Sequence, residues 1–182
     1  MKSHSAEPIR NKYDVKAVEE YLKKRSKRNY VIWVLGVNSG LRVSDIVGLN
    51  VSDVTNKSHI TLVEQKTRKR KSFYINDKLQ KVLKKYTKGR NPSEPLFIGQ
   101  QGNRLNRKIV YRFIVNACKR MKINVKASTH TMRKTFGYHH YQQFKDPIIL
   151  QKIFNHSCQS ITLMYIGVTQ DEIDSSYRNF EL

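Results

Sequence analysis

The stretch Ser128-Thr129-His130-Thr131-Met132-Arg133-Lys134-Thr135-Phe136-Gly137 governs how the rest of the chain is read. His130 and Arg133 are three residues apart, a spacing that puts both side chains on one face of a helix. Ser128 or Thr129 can cap the start of that helix, which is expected to continue from Thr129 to about Phe144. A His and an Arg beside a helix N-terminus, where backbone N–H groups point outward, form a site for an anion, phosphate foremost. The same pair also reads as two ordinary solvated side chains, so the choice between the readings rests on the rest of the chain.

The chain has 182 residues, a length that suits one compact domain with a buried core. Thirty-five Lys and Arg stand against fourteen acids, a formal net charge of +21. A domain this basic points to a polyanionic partner, with nucleic acid ahead of an anionic membrane, since no amphipathic membrane helix stands out. No apolar run is long enough to span a bilayer, and Met1 to Ala6 lacks the apolar stretch of a signal peptide. Cys118 and Cys158 have no metal-ligand spacing and read as reduced thiols of a cytoplasmic protein. No metal and no cofactor is expected.

Apolar periodicity and capping residues divide the chain into a mainly helical pattern. Met1 to Lys12 reads as a flexible basic lead-in, and residues 13–182 as one domain with no internal boundary. Asp14 can cap a helix bearing Val15, Val18, Tyr21 and Leu22, ending near Arg25. Lys27 to Asn38 is a second helix, apolar nearly all round at Tyr30 to Leu35 and therefore central to the core. Gly40 stops it, and Ser44 and Asp45 open a short helix anchored by Ile46 and Leu49. Arg42 lies at that junction, either paired with a buried acid or waiting for an anion.

His59 to Glu64 and Lys71 to Ile75 alternate as strands and form a hairpin, with Gln65-Lys66-Thr67-Arg68-Lys69-Arg70 as a cationic tip. That tip reads either as a solvated turn or as a finger toward a phosphate backbone, carried by Lys66, Arg68, Lys69 and Arg70. Asn76 or Asp77 caps a helix with Leu79, Val82, Leu83 and Tyr86 inside, and Leu96-Phe97-Ile98 is a short extended piece. Asn106 opens a helix to about Met121, and Arg104, Arg107, Lys108 and Arg112 are placed to face phosphates from its start; Lys134 joins them as a candidate DNA contact. Asp146-Pro147 opens a helix closed by Asn155-His156-Ser157. Gln159 to Ile166 follows, Gly167 breaks it, and Thr169 to Phe180 is a last amphipathic helix.

Arg42, Lys66, His130, Arg133, His156 and Tyr165 occur in an order and spacing that resemble the catalytic domain of the tyrosine recombinases, the phage-integrase family. Gly40-Leu41-Arg42-Val43-Ser44-Asp45-Ile46 resembles the family's first box, and Thr129 to Phe136 its second. Phe154-Asn155-His156-Ser157 resembles a Leu-Gly-His-Ser stretch, with Asn155 where Gly is common, and Tyr165 follows nine residues after His156. The likeness runs from about Pro8 to the end.

It implies an α+β fold, mainly helical with a small antiparallel sheet, and DNA strand cleavage and rejoining through a phosphotyrosine. It assigns Tyr165 as nucleophile, Arg42 and Arg133 as phosphate holders, His130 as general base, Lys66 as general acid and His156 as a hydrogen-bond donor to phosphate. Two Arg forks suit the charge that builds on non-bridging oxygens, and a phenol, with a pKa of about 10, needs a cationic pocket or a base to react near neutrality. The resemblance also implies double-stranded DNA as partner and a homotetramer on DNA, with a monomer in the free state open, and the C-terminal helix packed on a neighbour. Family members carry a DNA-clamping domain ahead of this point, and the chain is read as lacking it. A non-catalytic DNA binder that keeps the fold, and a type IB topoisomerase-like relaxing activity, are the alternatives.

Overall fold

The computed structural model describes residues 6–63, 70–168 and 177–181. Its centre is α2 (Lys27–Ser39), where Val31, Ile32, Trp33, Val34 and Leu35 are each at most 1 % exposed. A helix apolar on every side is stable only when other elements cover it. Here α1 (Lys12–Arg25), α4 (Asp77–Thr87) and α6 (Thr131–Phe144) do so. Between α2 and α4 lie α3 (Val43–Gly48), a single 3-10 turn at Val51–Asp53, and the strands β1 (His59–Val63) and β2 (Arg70–Tyr74). The strands pair antiparallel in the register His59 to Tyr74 and Val63 to Arg70. α5 (Arg107–Arg120) closes the first core, while α7 (Pro147–Phe154) and α8 (Gln159–Ile166) pack on each other and on α6 around Leu150, Phe154 and Ile166. The mainly helical fold with a small antiparallel sheet is as expected, and no helix among the described residues is long and apolar enough to cross a membrane.

The helix ends follow local chemistry. The side chains of Asn76, Asn106 and Asp146 accept backbone N–H groups at the starts of α4, α5 and α7. Gly40, Asn155 and Gly167 take the left-handed conformation at the ends of α2, α7 and α8. The cap of α1 is Asn11 rather than Asp14, which sits in the first turn where its charge suits the helix dipole. In place of the extended piece expected over Leu96-Phe97-Ile98, Leu96 and Phe97 form bends between two isolated bridges, from Asn50 to Pro95 and from Ile98 to Arg104.

Of the expected flexible lead-in, residues 6–12 are among the described residues. Residues 6–10 form a strap across α6. Ile9 is fully buried, its N–H donates to Thr135 Oγ1 at 2.9 Å, and His139 Nε2–H donates to its carbonyl at 3.0 Å. Glu7 exchanges two hydrogen bonds with Lys126, and Arg10 donates to the Gly167 carbonyl at 2.8 Å, fastening the end of α8. The final helix expected over Thr169 to Phe180 falls largely outside the described residues, as does the hairpin tip with Lys66, Arg68 and Lys69.

Burial of two histidines on α6 makes stability depend on pH. Burial lowers the pKa of His139, opposed by its bond to Ile9, and lowers that of His140, opposed by Asp146. His140 lies between Phe136 and Phe144, with ring centroids at 5.5 and 4.7 Å. A depressed value means that the unfolded chain binds more protons than the folded one below about pH 6.5, so stability is full above that pH and is lost as pH falls. The melting temperature is therefore expected to drop between about pH 7.5 and 5.5. His139→Gln with His140→Phe is expected to shrink that drop, as read by parallel thermal melts; an equal drop in the double variant would place the sensitivity elsewhere.

Candidate active site

Three segments meet at one cleft. The left-handed turn at Gly40 (φ 63°) ends α2 and sends the chain into α3, whose N-cap is Arg42. A Cβ at Gly40 would lie 2.6 Å from Phe136 Cδ1, so the turn and α6 can approach this closely only with glycine there. The N-terminus of α6 supplies His130 and Arg133, the start of α5 supplies Arg107, Lys108 and Tyr111, and Thr129 completes the wall. The cavity has a volume of about 580 Å³, and Val43 and Ser44 also line it. Three arginines, a lysine and a histidine around one opening make a site for an anion.

Arg133 is 2 % exposed, and carbonyls fix it from two directions. Its Nη1 donates to Gly40 O at 2.6 Å and its Nη2 to Phe154 O at 2.8 Å, while its guanidinium carbon lies 4.3 Å from the Phe154 ring centroid. One side chain thereby locks the ends of α2 and α7 onto α6. Two of the five guanidinium N–H groups go to those carbonyls, and the guanidinium carbon lies 6.0 Å from the Tyr165 ring centroid.

His130 stands at the N-cap of α6, with its backbone N–H bonded to Ser128 Oγ at 3.0 Å. Ser128 thus acts two residues ahead of the cap, as Thr131 Oγ1 accepts the Ser128 N–H in return. His130 Nδ1 is 3.2 Å from the Tyr165 hydroxyl. Burial raises the phenol pKa, and the charge and hydrogen bond of Arg133 and the charge of Arg42 oppose it. Tyr165 is therefore a neutral phenol in contact with an imidazole and a guanidinium.

His156 follows the left-handed Asn155, and its ring centroid lies 5.2 Å from that of Tyr165, edge-on. His156 Nδ1 is 3.0 Å from Thr162 Oγ1, on the helix that carries Tyr165. The structure thus brings Arg42, His130, Arg133, His156 and Tyr165 together, and Arg107 joins them. Lys66 lies outside the described residues, as do Arg68 and Lys69; Arg70 is exposed at the first position of β2.

Two expected DNA contacts have partners within the protein. Arg104 Nη1 donates to the carbonyls of Val47, Gly48 and Leu49 at 3.1, 2.7 and 2.9 Å, and Nη2 to Asn50 Oδ1 at 2.6 Å. A guanidinium at the open carbonyl end of α3 satisfies that end, which is a structural use of its charge. Lys134 is 8 % exposed, and its Nζ lies 4.9 Å from the Tyr165 ring centroid, behind the nucleophile candidate rather than on the surface. Burial lowers its pKa, with Glu7 opposing. Two further residues carry no signal in the sequence reading, Tyr111 in the cleft wall and Thr162, while Lys71, close to Lys66 in the chain, donates through Nζ to the Ile153 carbonyl. Tyr111 and Thr162 are common residue types on helices, and only their neighbours in space give them meaning.

Over residues 6–172 the sequence matches the phage integrase family. It is 39% identical over 178 residues to the probable integrase/recombinase YoeC of Bacillus subtilis (strain 168), which covers 97% of this chain and 98% of that protein. It is 30% identical over 152 residues to the tyrosine recombinase XerC of Thermodesulfovibrio yellowstonii, covering 78% of this chain and 50% of XerC, so the chain matches about half the length of that relative. Among solved structures, XerA recombinase superposes with a TM-score of 0.80 over 98% of this chain and 68% of that one, at 20% identity, a likeness in fold.

Proposed function

The chain belongs to the phage integrase family, and from that premise we propose that it is the catalytic domain of a site-specific DNA recombinase that cleaves and rejoins duplex DNA through a 3′-phosphotyrosine. The observation that carries the reading is the Tyr165 hydroxyl, 3.2 Å from His130 Nδ1, with the Arg133 guanidinium carbon 6.0 Å from the Tyr165 ring centroid. A half-buried phenol with a raised pKa is not a ready phenolate, so its proton needs an acceptor as the oxygen attacks. His130 is within reach to be that acceptor.

In the proposed step the phenol proton passes to His130 Nδ1, the phenol oxygen bonds to phosphorus, and the bond from phosphorus to the 5′ oxygen breaks. Lys66 gives that departing oxygen its proton. Arg42 and Arg133 hold the non-bridging oxygens where charge builds, and His156 donates to one of them. The protein's own cations do the charge work in this scheme. Rejoining is the reverse, a 5′ hydroxyl attacking the phosphotyrosine, so the phosphodiester's bond energy is kept and no nucleotide is consumed. The net charge of +21 and the position of Arg107 and Lys108 at the N-terminus of α5 favour DNA as the phosphate's source.

The test is covalent trapping. A pool of duplexes nicked beside random phosphates lets the short 5′ fragment diffuse away after cleavage, leaving protein on DNA. At low salt, where basic proteins bind with least selectivity, the wild-type chain is expected to give a band that survives denaturing electrophoresis, and Tyr165→Phe none. DNA binding without a covalent band in either protein would instead mark a non-catalytic binder. A band that persists in Tyr165→Phe would assign the nucleophile elsewhere.

A further inference from the structure

We infer that the buried hydroxyl of Thr162 is a positioning group that fixes the tautomer and orientation of His156 and ties them to the placement of the helix bearing Tyr165. The inference rests on the proposed role of His156 as a phosphate donor. Thr162 is fully buried, and its Oγ1 has two neighbours: the Cys158 carbonyl at 3.4 Å and His156 Nδ1 at 3.0 Å.

A hydroxyl has one proton. The carbonyl can only accept, so the Thr162 proton goes to Cys158 O, in the common bond from a helical Thr to the carbonyl one turn back. The Thr162 oxygen then presents lone pairs to His156, and Nδ1 must carry a proton to meet them. Nε2 is thereby the nitrogen turned to other work. It donates to a phosphate oxygen when the ring is cationic, with both nitrogens protonated. The logic is that of a histidine whose working nitrogen is set by what its other nitrogen bonds to.

Thr162 and Tyr165 are three residues apart on α8, one turn, so they share a face and move as one body. The backbone holds His156 separately: its N–H donates to Gln151 O at 3.1 Å, and its ring stands 5.3 Å from Phe154. With α8 seated, Thr162 orients His156 while Tyr165 reaches His130. With α8 displaced, both contacts are lost together. The hydroxyl thus makes the phosphate donor's orientation conditional on the nucleophile's presence, which suits an enzyme that must not hold phosphate for attack by water.

Two readouts test this. The first is the ring-nitrogen NMR of His156 in nitrogen-15 histidine-labelled protein, assigned with His156→Gln, at a pH where the ring is neutral. Wild type and Thr162→Ser are expected to show the Nδ1–H form, and Thr162→Val, which keeps the shape and removes the hydroxyl, a shift toward Nε2–H. The second is single-turnover cleavage of nicked DNA. Thr162→Val is expected to lose about tenfold in rate with DNA binding unchanged, and Thr162→Ser to recover most of it. In a His156→Ala background the Thr162→Val change is expected to have no further effect. A wild-type ring already in the Nε2–H form, or a Thr162→Val loss that adds fully to that of His156→Ala, would overturn the inference. If the wild-type chain cleaves no substrate, the recombinase reading fails while the NMR experiment still decides the role of Thr162.

Discussion

Arg133→Lys is expected to reduce the single-turnover cleavage rate by about 10²- to 10³-fold, the range for removing one preorganised donor to a transition-state oxyanion. The lysine keeps a formal cation but not the fork. Arg133 spends two N–H groups on Gly40 O and Phe154 O, and its guanidinium carbon lies 6.0 Å from the Tyr165 ring centroid. A single ammonium cannot serve those separated directions, and one carbonyl loses its partner at a cost of about 1–3 kcal/mol. Charge is at risk as well. Burial already lowers the pKa of Lys134, the next residue in the chain, and a lysine at the more buried position 133 faces the same penalty beside Arg42. An arginine stays protonated there.

Arg133→Ala removes both carbonyl partners and the stacking on Phe154, so it is expected to lower the melting temperature as well as activity. Arg133→Lys separates the two effects: folded protein that binds DNA and forms no covalent band is the expected outcome. Cleavage by Arg133→Lys within about threefold of wild type would remove Arg133 from the transition state and leave it a structural brace.

The parts of this fold legible in the sequence are those set by local chemistry. The run of apolar residues from Tyr30 to Leu35 marks α2 as central, because a helix with no polar side cannot face water. Asn76, Asn106 and Asp146 announce helix starts because their side chains reach N–H groups two or three residues on. Six site residues come from spacing matched to a family pattern, and the five of them among the described residues meet in space because the pattern encodes a fold.

What remained hidden is non-local. Residues 6–10 have no period and no motif; their order comes from Thr135 and His139, more than a hundred residues away. Arg104 and Lys134 were read as DNA contacts because charge usually faces water. On α6 that rule breaks: Thr131 through Thr135 are all buried, so polar side chains fill the interior around the site and amphipathic contrast disappears. Arg104 differs again, since only the three-dimensional approach of the α3 carbonyls reveals its use.

Gly137→Ala is the second large effect expected, and its sign depends on two opposed terms. Alanine in a helix interior gains about 1 kcal/mol over glycine from propensity alone. Against this, a Cβ at position 137 would sit 2.7 Å from Ile166 Cγ2 and 2.7 Å from Phe154 Cε2 and Cζ. Both neighbours are fully buried, so neither can swing aside without moving its helix. Overpacking of this kind costs about 1–3 kcal/mol, so net stability is expected to change little or fall slightly.

Activity is expected to fall much further. Phe154 is in α7, its carbonyl anchors Arg133, and its ring lies under the guanidinium. Ile166 is the residue after Tyr165 on α8. The methyl group pushes on both, moving Arg133 and Tyr165, the proposed phosphate holder and nucleophile, in one displacement. A shift of the order of 1 Å at reacting groups costs about 10²-fold in rate. Thermal melts and single-turnover cleavage on the same preparations separate the terms. A nearly unchanged melting temperature with a large loss of cleavage would show that Gly137 is kept for the seating of α7 and α8. A more stable Gly137→Ala that cleaves normally would show that these two helices tolerate the displacement, and that the distances at Tyr165 are set by its own contacts with His130 and His156.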